Sequence, residues 1–217
     1  MSNITIVGGH GKVALLLAPI LRGRGDHATS LIRNPQHADD VEKASAAPHL
    51  ADIEKLSTEE IAGLLFGQDA VIWSAGAGGG SAERTYAVDR DAAIRTIDAA
   101  QQAGVKRFVM VSYMGAGPNH GVPESDSFFA YAQAKTEADE YLSSTDLDWT
   151  ILHPGLLTMG DATGTIQIVD GKHFGDYPVS RANVALTTAA ILHDDATIGR
   201  TIEFGDGPVP IADALAQ

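Results

Sequence analysis

Apolar and polar positions fall in blocks along the chain, and the period of the blocks keeps switching. Ile4 to Val7 is a β-branched apolar run that predicts a strand buried on both faces, and Val13 to Leu21 is the apolar stretch of the helix it feeds. Ala28 to Ile32 predicts a second strand, Pro35 to Ser45 a polar helix, and His49 to Ile53 a third strand. Ser57 and Glu60 have the spacing of a capping box and open the next helix. Ala70 to Ser74 reads as a fourth strand. Glu83 to Ala103 reads as one long helix with Ala93, Ile97 and Ala100 on one face, closed by Gly104. Arg107 to Ser112 gives a fifth strand, Phe128 to Leu142 a helix, and Asp148 to Leu152 a sixth strand. Near the C-terminus, Ile166 to Val169 with the Asp170-Gly171 turn predicts a small hairpin. Ser180 opens a helix ending near His193, Thr201 to Phe204 gives a last strand, and Ile211 to Leu215 a helical turn.

Strand and helix alternating throughout call for an α/β fold, a doubly wound parallel sheet with helices on both faces and a small C-terminal substrate-side region. At 217 residues the chain, 1–217, is expected to form one domain, too short for a second full one. Ligands of such sheets lie across the carboxyl ends of the strands. Three glycines stand there after the first strand, in Gly8-Gly9-His10-Gly11-Lys12-Val13-Ala14. A helix start offers unpaired N–H groups and partial positive charge, which suits a pyrophosphate if the backbone can approach closely. Gly8 would permit the tight turn, Gly11 the close approach, and Ala14 the packing of helix on strand. The plainer reading is a turn and nothing more.

The end of the second strand, Arg33-Asn34-Pro35, would face the adenosine ribose. An acidic residue there favours NAD, whereas the fork of Arg33 matches a 2′-phosphate, so NADP(H) is expected ahead of NAD(H). Arg33 also fits as a solvated residue ending a strand. Asp52 is placed to meet an adenine amino group or to act as an ordinary turn residue. Ser74-Ala75-Gly76, opening a small-residue loop, leaves room for a cofactor or is only a flexible connection. The loop Gly115 to Ser127, with His120, is either a flap over a site or a solvated connection. Tyr131 and Lys135, one helical turn apart, share a face. A phenol has a pKa of about 10 and needs a nearby cation to work near neutrality, which Lys135 could supply; the pair also fits an exposed helix surface.

Charge and composition narrow the partners. With 15 Lys+Arg against 28 Asp+Glu, a net charge of −13 opposes nucleic acid and anionic lipid. Zero cysteines exclude disulfides, thiolate catalysis and Cys-ligated zinc, and no metal site is expected. No apolar run is long enough to span a bilayer, and no signal peptide is apparent, so a cytoplasmic monomer or small homo-oligomer acting on a small-molecule substrate is expected.

With these motifs in place, the chain resembles the short-chain dehydrogenase/reductase superfamily. It is closest to the atypical branch of small NAD(P)H-binding proteins, the NmrA-like and biliverdin/flavin-reductase-like groups. The resemblance runs over nearly the whole chain, through the glycine turn, Arg33-Asn34-Pro35, Ala103 to Val109, Tyr131 to Lys135 and His153 to Thr158. It implies a Rossmann fold, with cofactor contacts at Gly8, Gly9, His10, Gly11, Lys12 and Val13 and at Arg33, Asn34, Asp52 and Ile53. Further contacts are implied at Ser74, Ala75, Gly76, Ser112 and Lys135, and beside the nicotinamide at Pro154, Gly155 and Leu156. Catalysis is implied at Ser112, Tyr131 and Lys135, with Tyr131 the general acid and Ser112 orienting the substrate oxygen. Three positions depart from the pattern: Tyr113 stands where the family's serine usually does, Asp89 where the extended branch has Asn, and His153 where Arg is usual. The resemblance implies an oxidoreductase for a small carbonyl, quinone or flavin-like substrate. A non-catalytic NADP(H) sensor and an epimerase or dehydratase are the alternatives.

Overall fold

The structure is a computed structural model that describes residues 1–169 and 174–217. Its strands are β1 (Asn3–Val7), β2 (His27–Ile32), β3 (Ala47–Leu50), β4 (Ala70–Trp73), β5 (Arg107–Val111), β6 (Asp148–Pro154), β7 (Leu157–Thr158), β8 (Thr165–Ile168), β9 (Val179–Ser180), β10 (Arg200–Asp206) and β11 (Val209–Pro210). The α-helices are α1 (Lys12–Gly23), α2 (Ala38–Lys43), α3 (Thr58–Leu65), α4 (Ala82–Thr85), α5 (Ala93–Ala103), α6 (Phe129–Ser143), α7 (Arg181–Ile191) and α8 (Ile211–Leu215). Nine strands form one sheet in the order β11-β8-β10-β6-β5-β4-β1-β2-β3, and β7 pairs with β9 beside it.

From β3 across to β10 every neighbouring pair is parallel. The expected doubly wound Rossmann-like sheet is therefore present. Each central strand is apolar on both faces, as a sheet covered on both sides requires. Ile4, Ile6, Ile72, Val109 and Leu152 enter one core with α1 and α7; Val7, Val71, Trp73, Phe108, Met110 and Ile151 enter the other with α3, α5 and α6. The order reverses between β1 and β4, where the Ser74 amide donates to the Val7 carbonyl at 2.9 Å, and the crevice opens there.

Two regions differ from expectation. The C-terminal edge is antiparallel: β8 pairs with both β10 and β11. Ile166 thus belongs to the main sheet, while the Asp170-Gly171 turn lies outside the described residues. The long helix is divided into α4, a π-helical segment Tyr86–Ala92, and α5. A π turn carries extra residue per turn and so rotates side chains relative to an α-helix; here Val88 and Asp89 are buried. Beyond it, Ala93, Ile97 and Ala100 are buried and Gly104 ends α5 at φ +76°, as the pattern predicts. The third strand lies at 47–50, earlier than 49–53, because this largely exposed edge strand has no apolar run to mark it. Asp52 and Ile53 consequently sit in the loop beyond the strand.

Candidate functional site

The glycine turn is shaped from three sides. Gly8 lies at φ +83°, and a Cβ there would fall 2.6 Å from the Ala75 Cα; a Cβ on Gly9 would collide with Ser30. Gly11 has ordinary dihedrals, so its requirement is space rather than conformation. Its N–H donates to Gly8 O at 2.8 Å and its carbonyl accepts from Leu15, which starts α1. No side chain caps that helix, and the first turn holds no acidic residue. The start of α1 therefore presents free donors and the positive end of its dipole.

Gly8, Gly9, His10 and Gly11 line a cavity of about 360 Å³ together with Arg33, Asp52, Ile53, Ser74, Ala75 and Gly76. Residues the sequence did not single out complete it, among them His37, Glu54, Arg84 and Val88. His10 stacks on His37 with ring centroids 3.6 Å apart and bonds Asp40 at 3.1 Å. Asp52 Oδ2 is 2.8 Å from the Lys55 ammonium, which holds the carboxyl below its ordinary pKa. Its other oxygen is buried with no hydrogen-bond partner. Asp52 lines the cavity as an ionised carboxylate, an acceptor-only group. Arg33 donates to Glu54 at 2.8 Å, and Glu54 also receives Arg84 at 3.1 Å. No local sequence signal links these three, since they meet only through the fold.

Lys12, Val13, Asn34, Ser112, Lys135, Pro154, Gly155 and Leu156 lie outside the lining of that cavity. Asn34 caps the turn after β2 by accepting from Gln36. The segment after β6 is fixed by packing: Pro154 O accepts from Met114 and Gly155 N donates to Phe204 O, each within 3.0 Å. A Cβ at Gly155 would fall on the Tyr177 carbonyl. Leu156 is half exposed, its carbonyl bonded to Val179 N–H.

The Tyr131 end is built on α6. Tyr113, Phe128 and Tyr131 pack as an aromatic group with centroids 5.1–5.3 Å apart. Lys135 is buried, its ammonium donating to Val111 O at 3.0 Å. The Ser112 hydroxyl donates to Asp139 at 2.6 Å, and Asp139 also bonds His153 at 3.0 Å. Burial, then Asp89, Asp139 and Tyr113, push the Tyr131 phenol above its ordinary pKa. Expected here was a depression by Lys135; desolvation and the nearby carboxylates Asp89 and Asp139 dominate instead. Burial likewise pushes Tyr113 up to about 12. Asp89 is buried, accepts from Ala77 N at 3.0 Å, and is raised by desolvation, with Lys135 opposing.

Among the described residues no helix is long and apolar enough to cross a membrane, and no cluster of side chains fits a metal ion. A model of the NAD(P)H-binding family matches residues 8–195. The Bacillus subtilis protein named "Uncharacterized sugar epimerase YhfK" is 35% identical over 99% of this chain and 99% of its own. Among solved structures, the oxidoreductase ylbE from Lactococcus lactis is 31% identical with a TM-score of 0.86, covering 99% of this chain and 95% of that one. A Bacillus halodurans protein whose description proposes an NAD-dependent epimerase/dehydratase is 30% identical with a TM-score of 0.92, each chain covered in full.

Proposed function

The chain belongs to the NAD(P)H-binding family, and on that premise we propose that it is an NADP(H)-dependent oxidoreductase of the atypical short-chain dehydrogenase/reductase type. Its substrate would be a small carbonyl, quinone or flavin-like molecule. The observation that carries the reading is the convergence in one cavity of the glycine turn at the uncapped start of α1, Arg33 and the Asp52 carboxylate. These residues fit a dinucleotide: backbone donors for the pyrophosphate, Asp52 for the adenine amine, and Arg33 for the 2′-phosphate that favours NADP(H) over NAD(H).

The bound reduced nicotinamide would supply a hydride. The chain's own part is to place the substrate and deliver a proton. Tyr131 is the general acid: a phenol raised by burial keeps its proton at neutral pH and gives it up only to an oxygen that gains charge in the transition state. Lys135, fixed on Val111 O, sits near enough to Asp89 to act on it electrostatically and holds the base of α6 against β5. Ser112 acts through Asp139 rather than on the substrate.

One observation favours the sensor reading: the Ser112 hydroxyl and the Lys135 ammonium are both engaged within the protein. The names of YhfK and of the Bacillus halodurans protein favour an epimerase or dehydratase, which would use the cofactor without net consumption. The test is net NADPH oxidation, followed at 340 nm, against quinones, flavins and aldehydes. Steady oxidation with one of these acceptors supports the oxidoreductase. Tight NADPH binding with no acceptor reduced overturns it in favour of the sensor.

A further inference from the structure

Glu54 stands where two arginines meet at the rim of the cofactor cavity. Its Oε1 lies 2.8 Å from Arg33 Nη1 and 3.1 Å from Arg84 Nη2. The two guanidiniums come from separate parts of the chain, Arg33 from just after β2 and Arg84 from α4. Arg84 is held at both its backbone and its guanidinium. Ser81 caps α4 by accepting from the Arg84 amide, and Arg84 Nη1 donates to Ala77 O at 2.6 Å. Glu54 is held as well, because Arg95 of α5 donates to the carbonyls of Ile53 and Glu54 at 3.0 and 3.2 Å. A surface carboxylate kept in place by the backbone beneath it differs from a mobile ion pair that happens to form.

Resting on the reading of Arg33 as the 2′-phosphate residue, we propose that Glu54 is a specificity-determining residue that acts as an internal stand-in for that phosphate. Its carboxylate fills the Arg33 fork in the free protein, and a 2′-phosphate must displace it. Arg84 makes the exchange feasible, since a Glu54 released by Arg33 keeps one guanidinium. Two cations and one carboxylate leave net positive charge, and a phosphate monoester of about −1.5 to −2 at neutral pH competes well for it. NADH carries no group at that position, so it gains nothing from freeing Arg33. Glu54 therefore lowers NADPH affinity selectively and narrows the preference between the two cofactors. Arg33 is 57% exposed at its side chain, so the competition is partly screened and its size is modest.

The test is equilibrium titration of NADPH and NADH, at fixed ionic strength, into the full chain and the variants Glu54→Gln, Arg33→Ala and the double substitution. Glu54→Gln keeps the shape and removes the charge; it should tighten NADPH by roughly three- to fivefold, the scale of an exposed ion pair, and leave NADH within twofold. In the Arg33→Ala background the same change should have no effect on NADPH. Unchanged NADPH affinity in Glu54→Gln, or an equal gain with and without Arg33, overturns the proposal. So does a weakening of NADH, which would make Glu54 an acceptor for ribose hydroxyls. If Arg33→Ala loses NADPH affinity while Glu54→Gln does nothing, only the stand-in fails. If Arg33→Ala leaves NADPH binding intact, the NADP(H) reading itself fails.

Discussion

Around Arg33 the cleft holds two guanidiniums and an uncapped helix start, whereas around Tyr131 the polar groups are mainly buried carboxylates. At the first end stand two guanidiniums sharing one carboxylate and the uncapped N–H groups of α1. At the second, the Ser112 hydroxyl and the Lys135 ammonium are already donating, and the atoms left without partners are the buried carboxylate oxygens Asp89 Oδ1 and Asp139 Oδ1. A donor-rich surface attracts an anion and holds it. An acceptor-rich interior disfavours any further negative charge, so a phenol inside it keeps its proton. The donor-rich part, the binding end, is built from the segments after β1 to β4, and the acceptor-rich part, the proton-holding end, from the end of β5, the π segment and α6.

The largest expected effect tests the proton-holding end. Tyr131→Phe removes the acid and leaves the ring, so NADPH-dependent turnover should fall by about 10²–10⁴-fold while cofactor affinity stays the same. An unchanged rate would mean that the hydride acceptor takes no proton from this phenol, as a quinone- or flavin-like substrate could allow. Gly11→Val comes next and tests the binding end. Its side chain would meet Gly8 O at 3.0 Å on one side and fill the approach to the helix start on the other. Both NADPH and NADH should weaken at least about 100-fold, or 2.7 kcal/mol, in calorimetric titration of a folded variant. Arg33→Ala follows, with a loss of roughly 10- to 100-fold for NADPH and little for NADH.

The glycine turn was legible in the sequence, for a physical reason. Backbone requirements leave local marks: Gly8 needs positive φ, Gly9 lies against Ser30, and a strand run next to a helix run dates the turn between them. The parallel order of the strands followed from alternation, and Ser57 with Glu60 formed the capping box that their spacing announced. What stayed hidden depends on distant pairing. Glu54 meets Arg33 across 21 residues and Arg84 across 30. Asp139 meets Ser112 across 27. The π segment left no mark either, because its residues carry the same apolar period as the helix around it until the extra residue turns Asp89 inward. At the Tyr131 end the spacing of Tyr131 and Lys135 put both on α6, but the hydrogen bonds of Lys135 and Ser112 were not readable. Which acceptor a buried lysine chooses is settled by the strand beneath it.

A smaller effect separates support from chemistry. Ser112→Ala leaves Asp139 with one donor fewer in a buried site, which should cost about 1.5 kcal/mol and lower Tm by about 3–6 °C. Turnover should fall less than about tenfold if the hydroxyl acts only through Asp139. A rate loss as large as that of Tyr131→Phe, with Tm unchanged, would put Ser112 on the substrate instead.

The smallest expected effect is a pH drift in stability, and it comes from the base of the same end. His153 is buried, with Nε2 3.0 Å from Asp139 and Nδ1 3.4 Å from Glu203. Carboxylates on both ring nitrogens are satisfied together only by the imidazolium, which has two donors. Burial alone pulls the pKa down, but hydrogen bonds and charge from Asp139 and Glu203 outweigh it, and the net shift is upward. A histidine raised on folding adds stability that is fully present below its unfolded value of about 6.5 and is lost as pH rises through its folded value. Thermal melts of the wild type and His153→Gln across pH 6 to 9 isolate this contribution, because other titrating groups are common to both. The wild-type advantage in Tm should shrink steadily as pH rises above about 6.5. An advantage that holds constant, or grows with pH, would mean that His153 is neutral in the folded protein and that Asp139 and Glu203 are not both ionised around it.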